Sequence, residues 1–344
     1  MEQRYTLRLE HIEEVLDRWL PRNPDQGWAA AVFPGLASGL ERHKLEAVAA
    51  PGRDLLSRGG KRWRPLLMTL VCEALGGGDA ALPLTPLVEF CHNASLIHDD
   101  IEDSSDERRG QPAVHIVHGV DAAINGGCFL YFLPLACIDA WAADTQSKGE
   151  VYSLWGSYMR KLHLGQAIDI HWHRNFEPIP SIDEYRAMCA LKTGCLARFA
   201  AELGAYVAGV SGATATGAVE AAEKLGVGFQ ILDDVKNLTT GLPGKQRGDD
   251  VVEGKKSLPV LLFLHRSPEK SGMVKRCFAA AGSGGVAVPE VEELIQALHT
   301  AGVLSEAEEQ GKGLLAEART AFADIERVSP AGGSLLSGFI DQIL

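Results

Sequence analysis

Residues 88 to 118, VEFCHNASLIHDDIEDSSDERRGQPAVHIVH, hold the densest cluster of acids in the chain, followed at once by paired arginines. Up to Ile101 the apolar side chains (Val88, Cys91, Ala94, Ile97, Ile101) recur with a period near 3.6, which predicts a buried helix carrying acids at its C-terminal end. Asp99 and Asp103 then stand at i and i+4 on one face, with Asp100 at i+3 from Asp103. Like charges at that spacing destabilise a helix and raise each other's pKa, so a cation is expected among them. The available ligands are oxygens, without Cys or His at ligand spacing, and that favours Mg²⁺ over Zn²⁺. Mg²⁺ usually joins one or two carboxylates to substrate phosphates, which would give Arg108 and Arg109 a diphosphate to bind. The alternative is a solvated acidic helix end followed by a basic loop.

Other stretches carry matching chemistry. In GVGFQILDDVKNLTTG, i+3 and i+4 steps put Gln230, Asp233, Asp234 and Asn237 on one helix face as a second oxygen cluster. In SRGGKRWRPLL, Lys61 and Arg64 lie at a helix start, where free backbone N–H groups also favour an anion. His92 lies two turns before Asp99; a lone His there is otherwise a satisfied core residue. Lys192-Thr193-Gly194 interrupts a helical stretch over 181–209, and since an internal glycine costs a helix about 1 kcal/mol, the break is a mere bend or serves a kink or a close approach. GKQRGDDVVEGKKSLPVLL, read alone, is a solvated charged loop. HWH at 171–173 is a weak metal signal, and its expected loop position favours an exposed turn.

The elements that must position these residues are helical. Helices are expected over 7–20, from about Leu36 to Arg58, over 82–103, 118–140, 150–171 and 181–209, and near 289–302 and 304–327, with glycine breaks at 76–78 and 281–285. With almost no β-type alternation, the fold class is an all-α bundle, and no Pro/Ser-rich linker divides the 344 residues, so one domain is expected. Apolar content of 46% supports a large core. No apolar run is expected to reach the length of a membrane span, and the charged N-terminus does not read as a signal peptide. The seven cysteines show no CxxC spacing and read as reduced core residues, which points to the cytoplasm. A net charge of -12 argues against nucleic acid or an anionic membrane surface as partner, so an anionic substrate must be drawn by local basic residues and metal.

HDDIEDSSDERRGQP resembles the first aspartate-rich motif, DDxxD followed by RRG, of the trans-isoprenyl diphosphate synthases, or polyprenyl synthetases. The resemblance extends over about 58–264, through GGKRxRP, HxASLxHDD, GQxxD (Gly165, Gln166, Asp169), the KT pair, a DDxxN second motif and GKxxGxDxxEGKKxLP. It implies a single-domain isoprenoid-synthase bundle over 1–344 with the aspartate motifs facing across a central cavity, working as a homodimer on isopentenyl diphosphate and an allylic prenyl diphosphate. Asp99, Asp103 and Asp233 would hold Mg²⁺, with Asp100 and Asp234 completing the motifs. Arg108, Lys192, Thr193, Gln230, Lys245 and Lys255 would bind the allylic diphosphate, with Asp250 behind them. Lys61, Arg64, His92 and Arg109 would bind isopentenyl diphosphate. Asn237 replaces the third acid of the second motif, Gly127-Cys128 stands where relatives commonly have GD, and the basic C-terminal tail of many relatives is missing. The small Ala94 and Ser95 before Asp99 leave room for a long product tail, with Phe90, Phe129 or Phe132 as a wall or as ordinary core. That leans to geranylgeranyl diphosphate. Longer or farnesyl products, a terpene cyclase and a regulatory synthase subunit on the same fold are the alternatives, and a purely structural helical module is a further one.

Overall fold

A computed structural model describes residues 2–35, 41–241, 246–327 and 335–343. Among them the regular structure is helical apart from one two-stranded ladder, Glu107–Arg108 against Gln111–Pro112. The chain divides into two compact units, one of Met1–Ser157, Phe199–Val219 and Phe322–Leu344, the other of Tyr158–Arg198 and Glu220–Ala321.

The first unit is built on the helix Pro86–Glu102, which starts four residues later than expected, after a short 3-10 turn at Leu82–Leu84, because Pro86 at the first turn presets φ and lacks only an N–H that would have had no partner. Its Leu87, Val88, Phe90, Cys91, Ala94 and Ile97 are fully buried. It packs along Val120–Phe132, which in turn packs on Arg42–Ser57. The first helix runs Glu2–Trp19, and an unexpected short helix, Gln26–Val32, follows because Asp25 caps it by accepting from the Trp28 N–H at 2.8 Å. The beginning of the stretch expected from Leu36 falls on residues outside those described.

Two expectations are corrected in this unit. The single helix over 118–140 is two, Val120–Phe132 and Leu135–Ala140, preceded by Val114–His118, because Gly119 takes φ 88° and Pro134 cannot donate to the i−4 carbonyl. Yet Val120–Ala140, with 21 residues and a mean hydropathy of 1.4, is long and apolar enough to cross a membrane by length and composition, contrary to expectation. Half of its most apolar stretch is buried in the protein. The cysteines are free, and six are buried as expected; Cys128 is exposed.

In the second unit Ser181 and Glu184 form the anticipated capping box, with the Glu184 N–H donating to Ser181 Oγ at 3.2 Å and the Ser181 N–H to Glu184 Oε2 at 2.8 Å. The helix Ile182–Cys189 then passes into a π-helical turn, Ala190–Gly194, before Cys195–Val207. Leu258–Arg266 is buried along most of its length, as its near-continuous apolar sequence requires. The glycine-rich stretch at 281–285 is no loop: the helix Ser271–Gly284 runs through it and stops only at Gly285, where φ is 75°. HWH is likewise not in a loop, since Thr145–Arg174 continues through it.

Candidate active site

In the first unit the two strands of the ladder are joined by Arg109 and Gly110, both at positive φ (56° and 73°). That is the backbone of a two-residue primed turn, natural for glycine and strained by about 1 kcal/mol for arginine. Arg58 clasps the ladder by donating to Arg108 O (3.2 Å) and Pro112 O (2.8 Å). The Arg109 guanidinium donates to Leu55 O (3.0 Å) and Gly59 O and lies 3.4 Å from Asn93 Oδ1. Burial pulls its pKa down to about 10, against the opposing pull of Glu89. Beneath it, Arg62 donates to Glu13 (2.7 Å), Glu89 (2.9 Å), Gly59 O (3.0 Å) and Leu56 O (2.6 Å), and Glu89 also accepts from Asn93 (2.9 Å). Burial alone would lower the Arg62 pKa; Glu89 and Glu13 outweigh it and raise it.

Beside this network Arg64 lies 4.3 Å over the Trp63 ring and donates to His92 Nε2 at 3.1 Å. Burial first, and then Arg64 and Arg109, push His92 well below the ordinary imidazole range, so the ring is neutral and accepts. Lys61 Nζ donates to the Ile343 carbonyl in the C-terminal segment. The acids divide unequally. Asp100 is fully buried and accepts from Arg108 Nε at 2.8 Å and from its Nη2, whereas Asp99 is 3.6 Å from Arg108. Arg108, expected on a diphosphate, thus lies along the acids and neutralises Asp100. Asp103 donates its N–H to Asp99 O at 2.8 Å, so the helical turn persists and both half-buried carboxylates stay on one face.

The second unit has its own small cleft, lined by residues that include Asp169, Lys192, Thr193, Gln230, Asp234 and Lys255. The π turn re-aims Lys192 and Thr193 toward it, and this is why the KT-G break exists. Gly165 permits it: a Cβ there would stand 2.6 Å from Lys192 N and 2.7 Å from Leu191 C, so only glycine lets the two backbones approach. Thr193 Oγ1 donates to Gln230 Oε1 (2.6 Å), Gln230 Nε2 to Asp234 Oδ1 (2.8 Å), and Tyr185 OH to Asp234 Oδ2 (2.7 Å). Burial, with the like charge of Asp233, raises the Asp234 pKa although Lys255 and these donors oppose it. Asp169 is held well below the carboxylate range; burial would raise it, but Lys192 at 2.5 Å and His173 at 2.9 Å prevail. Burial would likewise lower Lys255, but Asp250, at 3.5 Å, and Glu253 hold it well above the usual lysine value. Lys245 lies outside the described residues.

The polyprenyl synthetase family model matches residues 45–298. The chain belongs to that family. Its 254 matched residues enclose both clusters except for Glu13 and the C-terminal segment on Lys61, and the chain is an all-α trans-prenyltransferase. It is 35% identical over 250 residues to a short chain isoprenyl diphosphate synthase of Methanocaldococcus jannaschii, covering 72% of this chain and 74% of the relative. It is 31% identical over 301 residues to a geranylgeranyl diphosphate synthase of Methanosarcina mazei, covering 86% and 83%. A geranylgeranyl pyrophosphate synthetase structure from Pyrococcus horikoshii superposes with a TM-score of 0.80 at 26% identity, covering 98% of this chain and 97% of that one.

In this polyprenyl synthetase several side chains differ from expectation. The Asn237 carbonyl accepts the Asp250 N–H at 3.1 Å, so this buried amide ties its helix to the backbone at Asp250. Phe132 is 61% exposed, beside Trp155 at 6.1 Å, which removes it as a wall within the chain. Phe129 packs with Trp28 and Phe33, Phe90 is in the core, Ala94 is fully buried, and Ser95 is half-buried with its hydroxyl on His92 O at 2.8 Å. Cys128 Sγ lies 3.8 Å from His98 Nε2. Three residues of the cleft region were not anticipated as such: Tyr185, His173, and Lys256, which donates to Trp172 O and Asn175 O and is lowered by burial to about 8. A signal existed for His173, one turn after Asp169, and for Lys256, the second lysine of the EGKK stretch.

Proposed function

We propose that this polyprenyl synthetase condenses isopentenyl diphosphate with dimethylallyl, geranyl or farnesyl diphosphate to give geranylgeranyl diphosphate, using Mg²⁺, with the whole chain acting as one catalytic domain. The observation that carries the reading is the pairing of chemistries in each unit: half-buried carboxylates beside buried guanidinium groups in the first, and lysines with carboxylates around a cleft in the second. No three His, Cys, Asp or Glu side chains converge as a complete cage among the described residues. Asp99 and Asp103 fit Mg²⁺ nonetheless, because two half-buried carboxylates one turn apart, with Asp100 already neutralised, are an all-oxygen set of the size this ion takes before phosphate completes it. Asp233 is the corresponding acid of the second unit. When bound, the metal supplies charge that stabilises the departing diphosphate.

The protein's own groups do the rest. Arg64 and Arg109 grip the isopentenyl diphosphate, and neutral His92 fixes the Arg64 fork by accepting from it. Lys61 joins them when its ammonium leaves the Ile343 carbonyl. Lys192, Thr193 and Lys255, with Gln230 orienting Thr193, hold the allylic diphosphate, and Lys245 joins them in sequence. The departing diphosphate takes the proton, so no enzyme base is needed. The product length is supported by the small Ser95 and by the relative named for geranylgeranyl diphosphate. A homodimer is supported by the exposed apolar side chains Ile116, Val117, Val120, Ile124 and Phe132, and a cytoplasmic setting by the free cysteines.

Purified protein incubated with radiolabelled isopentenyl diphosphate, Mg²⁺ and each allylic primer in turn should give twenty-carbon products. Ser95→Phe should shorten them to fifteen carbons with the first condensation intact. A wild type that stops at fifteen carbons would overturn the product assignment, and one that consumes no primer would overturn the reaction.

A further inference from the structure

Ser257 has the place of a helix cap and does not act as one. It precedes the nine-residue helix Leu258–Arg266 with the extended backbone of a cap (φ -64°, ψ 163°), and its carbonyl accepts the Leu261 N–H at 3.0 Å. A serine there ordinarily turns its hydroxyl onto the second or third helical N–H. The second position is Pro259, which has none, and the side chain makes no cap bond to the third, Val260. The residue is only 1% exposed and its Oγ has no hydrogen-bond partner, a costly state for a hydroxyl. It lines the same cleft as Lys192, Thr193, Gln230 and Lys255. Lys256 beside it holds the turn in place by donating to Trp172 O and to Asn175 O, the latter at 2.7 Å.

We propose that Ser257 is a further binding residue for the allylic diphosphate, its hydroxyl donating to a diphosphate oxygen seated at the N-terminus of Leu258–Arg266. A buried hydroxyl with nothing to donate to in the free protein is complementary to an anion, and the first turn of a helix turns its positive end the same way. The free protein already bears the cost of burying that hydroxyl unpaired, so binding recovers it. A residue that served only as a cap would show the opposite balance, stabilising the free chain and doing nothing for the substrate. The inference rests on the proposed place of the allylic diphosphate in this cleft.

The test is steady-state kinetics with each substrate varied in turn for Ser257→Ala, Ser257→Cys and Lys255→Ala, with melting curves of the wild type and Ser257→Ala in the absence and presence of geranyl diphosphate and Mg²⁺. Ser257→Ala removes the hydroxyl, and Ser257→Cys keeps nearly its shape but donates weakly. Both should raise the KM for the allylic diphosphate about tenfold or more and leave that for isopentenyl diphosphate unchanged. Ser257→Ala should leave the melting temperature of the free protein unchanged or higher, and should shrink the rise that geranyl diphosphate brings. An unchanged allylic KM in either variant, equal rises for both substrates, a lower melting temperature of the free Ser257→Ala protein, or an undiminished rise with geranyl diphosphate each overturn the role of Ser257. If Lys255→Ala also leaves the allylic KM unchanged, the assignment of this cleft to the allylic diphosphate falls and this inference with it.

Discussion

His92 shows how one side chain can be chosen for staying neutral. The unfolded chain takes up a proton on this residue near 6.5, the ordinary imidazole value, and the folded chain only well below it. Below that value the unfolded state binds more protons, so stability falls as pH drops, by up to about 1.4 kcal/mol per pH unit; above it the contribution is fully present. Urea denaturation at about pH 5.5 and about pH 7.5 should therefore show a steeper acid loss for the wild type than for His92→Gln, which keeps an acceptor for Arg64 and does not titrate. Parallel curves would mean that His92 protonates in place. Asn237 is the second case. Asn237→Asp recreates the acid of the commoner motif, yet it puts a carboxylate beside the Asp250 backbone and near the buried Asp234. It should lower stability by about 1 to 3 kcal/mol without tightening Mg²⁺ binding, as read from the melting temperature and a metal titration. A gain in metal affinity would show that the amide faces the metal after all.

Elements here serve by being imperfect. The π turn at Ala190–Gly194 aims Lys192 and Thr193 where a regular helix would not, and Gly165 on the neighbouring helix lets it lie that close. Gly165→Ala must push the π turn away by its backbone, since the clash is with Lys192 N and Leu191 C and no flexible side chain can yield. Its KM for the allylic diphosphate should rise tenfold or more, with stability lower by about 1 to 3 kcal/mol and the isopentenyl diphosphate KM little changed. Equal kinetic damage to both substrates would deny the π turn its selective role. The Arg109-Gly110 turn is the counterpart in the first unit, where left-handed arginine is held by carbonyls from the segment that ends Arg42–Ser57.

At the scale of the molecule, a chain of net charge -12 that handles diphosphates needs its positive charge locally, and the described basic residues of the two clusters supply it. Chelation of divalent metal should therefore abolish turnover while leaving the melting curve of the free protein unchanged, because Arg108 already neutralises the most buried acid, Asp100. The apolar side chains left exposed on Val114–His118 and Val120–Phe132 ask for cover. Val120→Lys combined with Ile124→Lys should turn a dimer into a monomer in sedimentation experiments, and an unchanged mass would move the interface elsewhere.

The helical class, the two oxygen clusters, the Ser181 cap and the interruption at Lys192 were legible because each depends on spacing along one helix, which periodicity and capping chemistry report. The sequence also marked Lys61, Arg64, His92 and Arg109 as one basic set through the family resemblance of their motifs, though nothing in their spacing predicts that Arg64 meets His92 or that Lys61 meets a C-terminal carbonyl. Those contacts, like the turning of Arg108 onto Asp100, of Asn237 onto the Asp250 N–H and of His173 onto Asp169, were decided by tertiary structure. A polar side chain withdrawn from water takes whichever partner packing brings within about 3 Å, and across dozens of residues that choice is a property of the fold. The same reason explains Phe132: its apolar sequence context promised burial, but burial is set by which helix face has a neighbour, and at that position the described chain provides little.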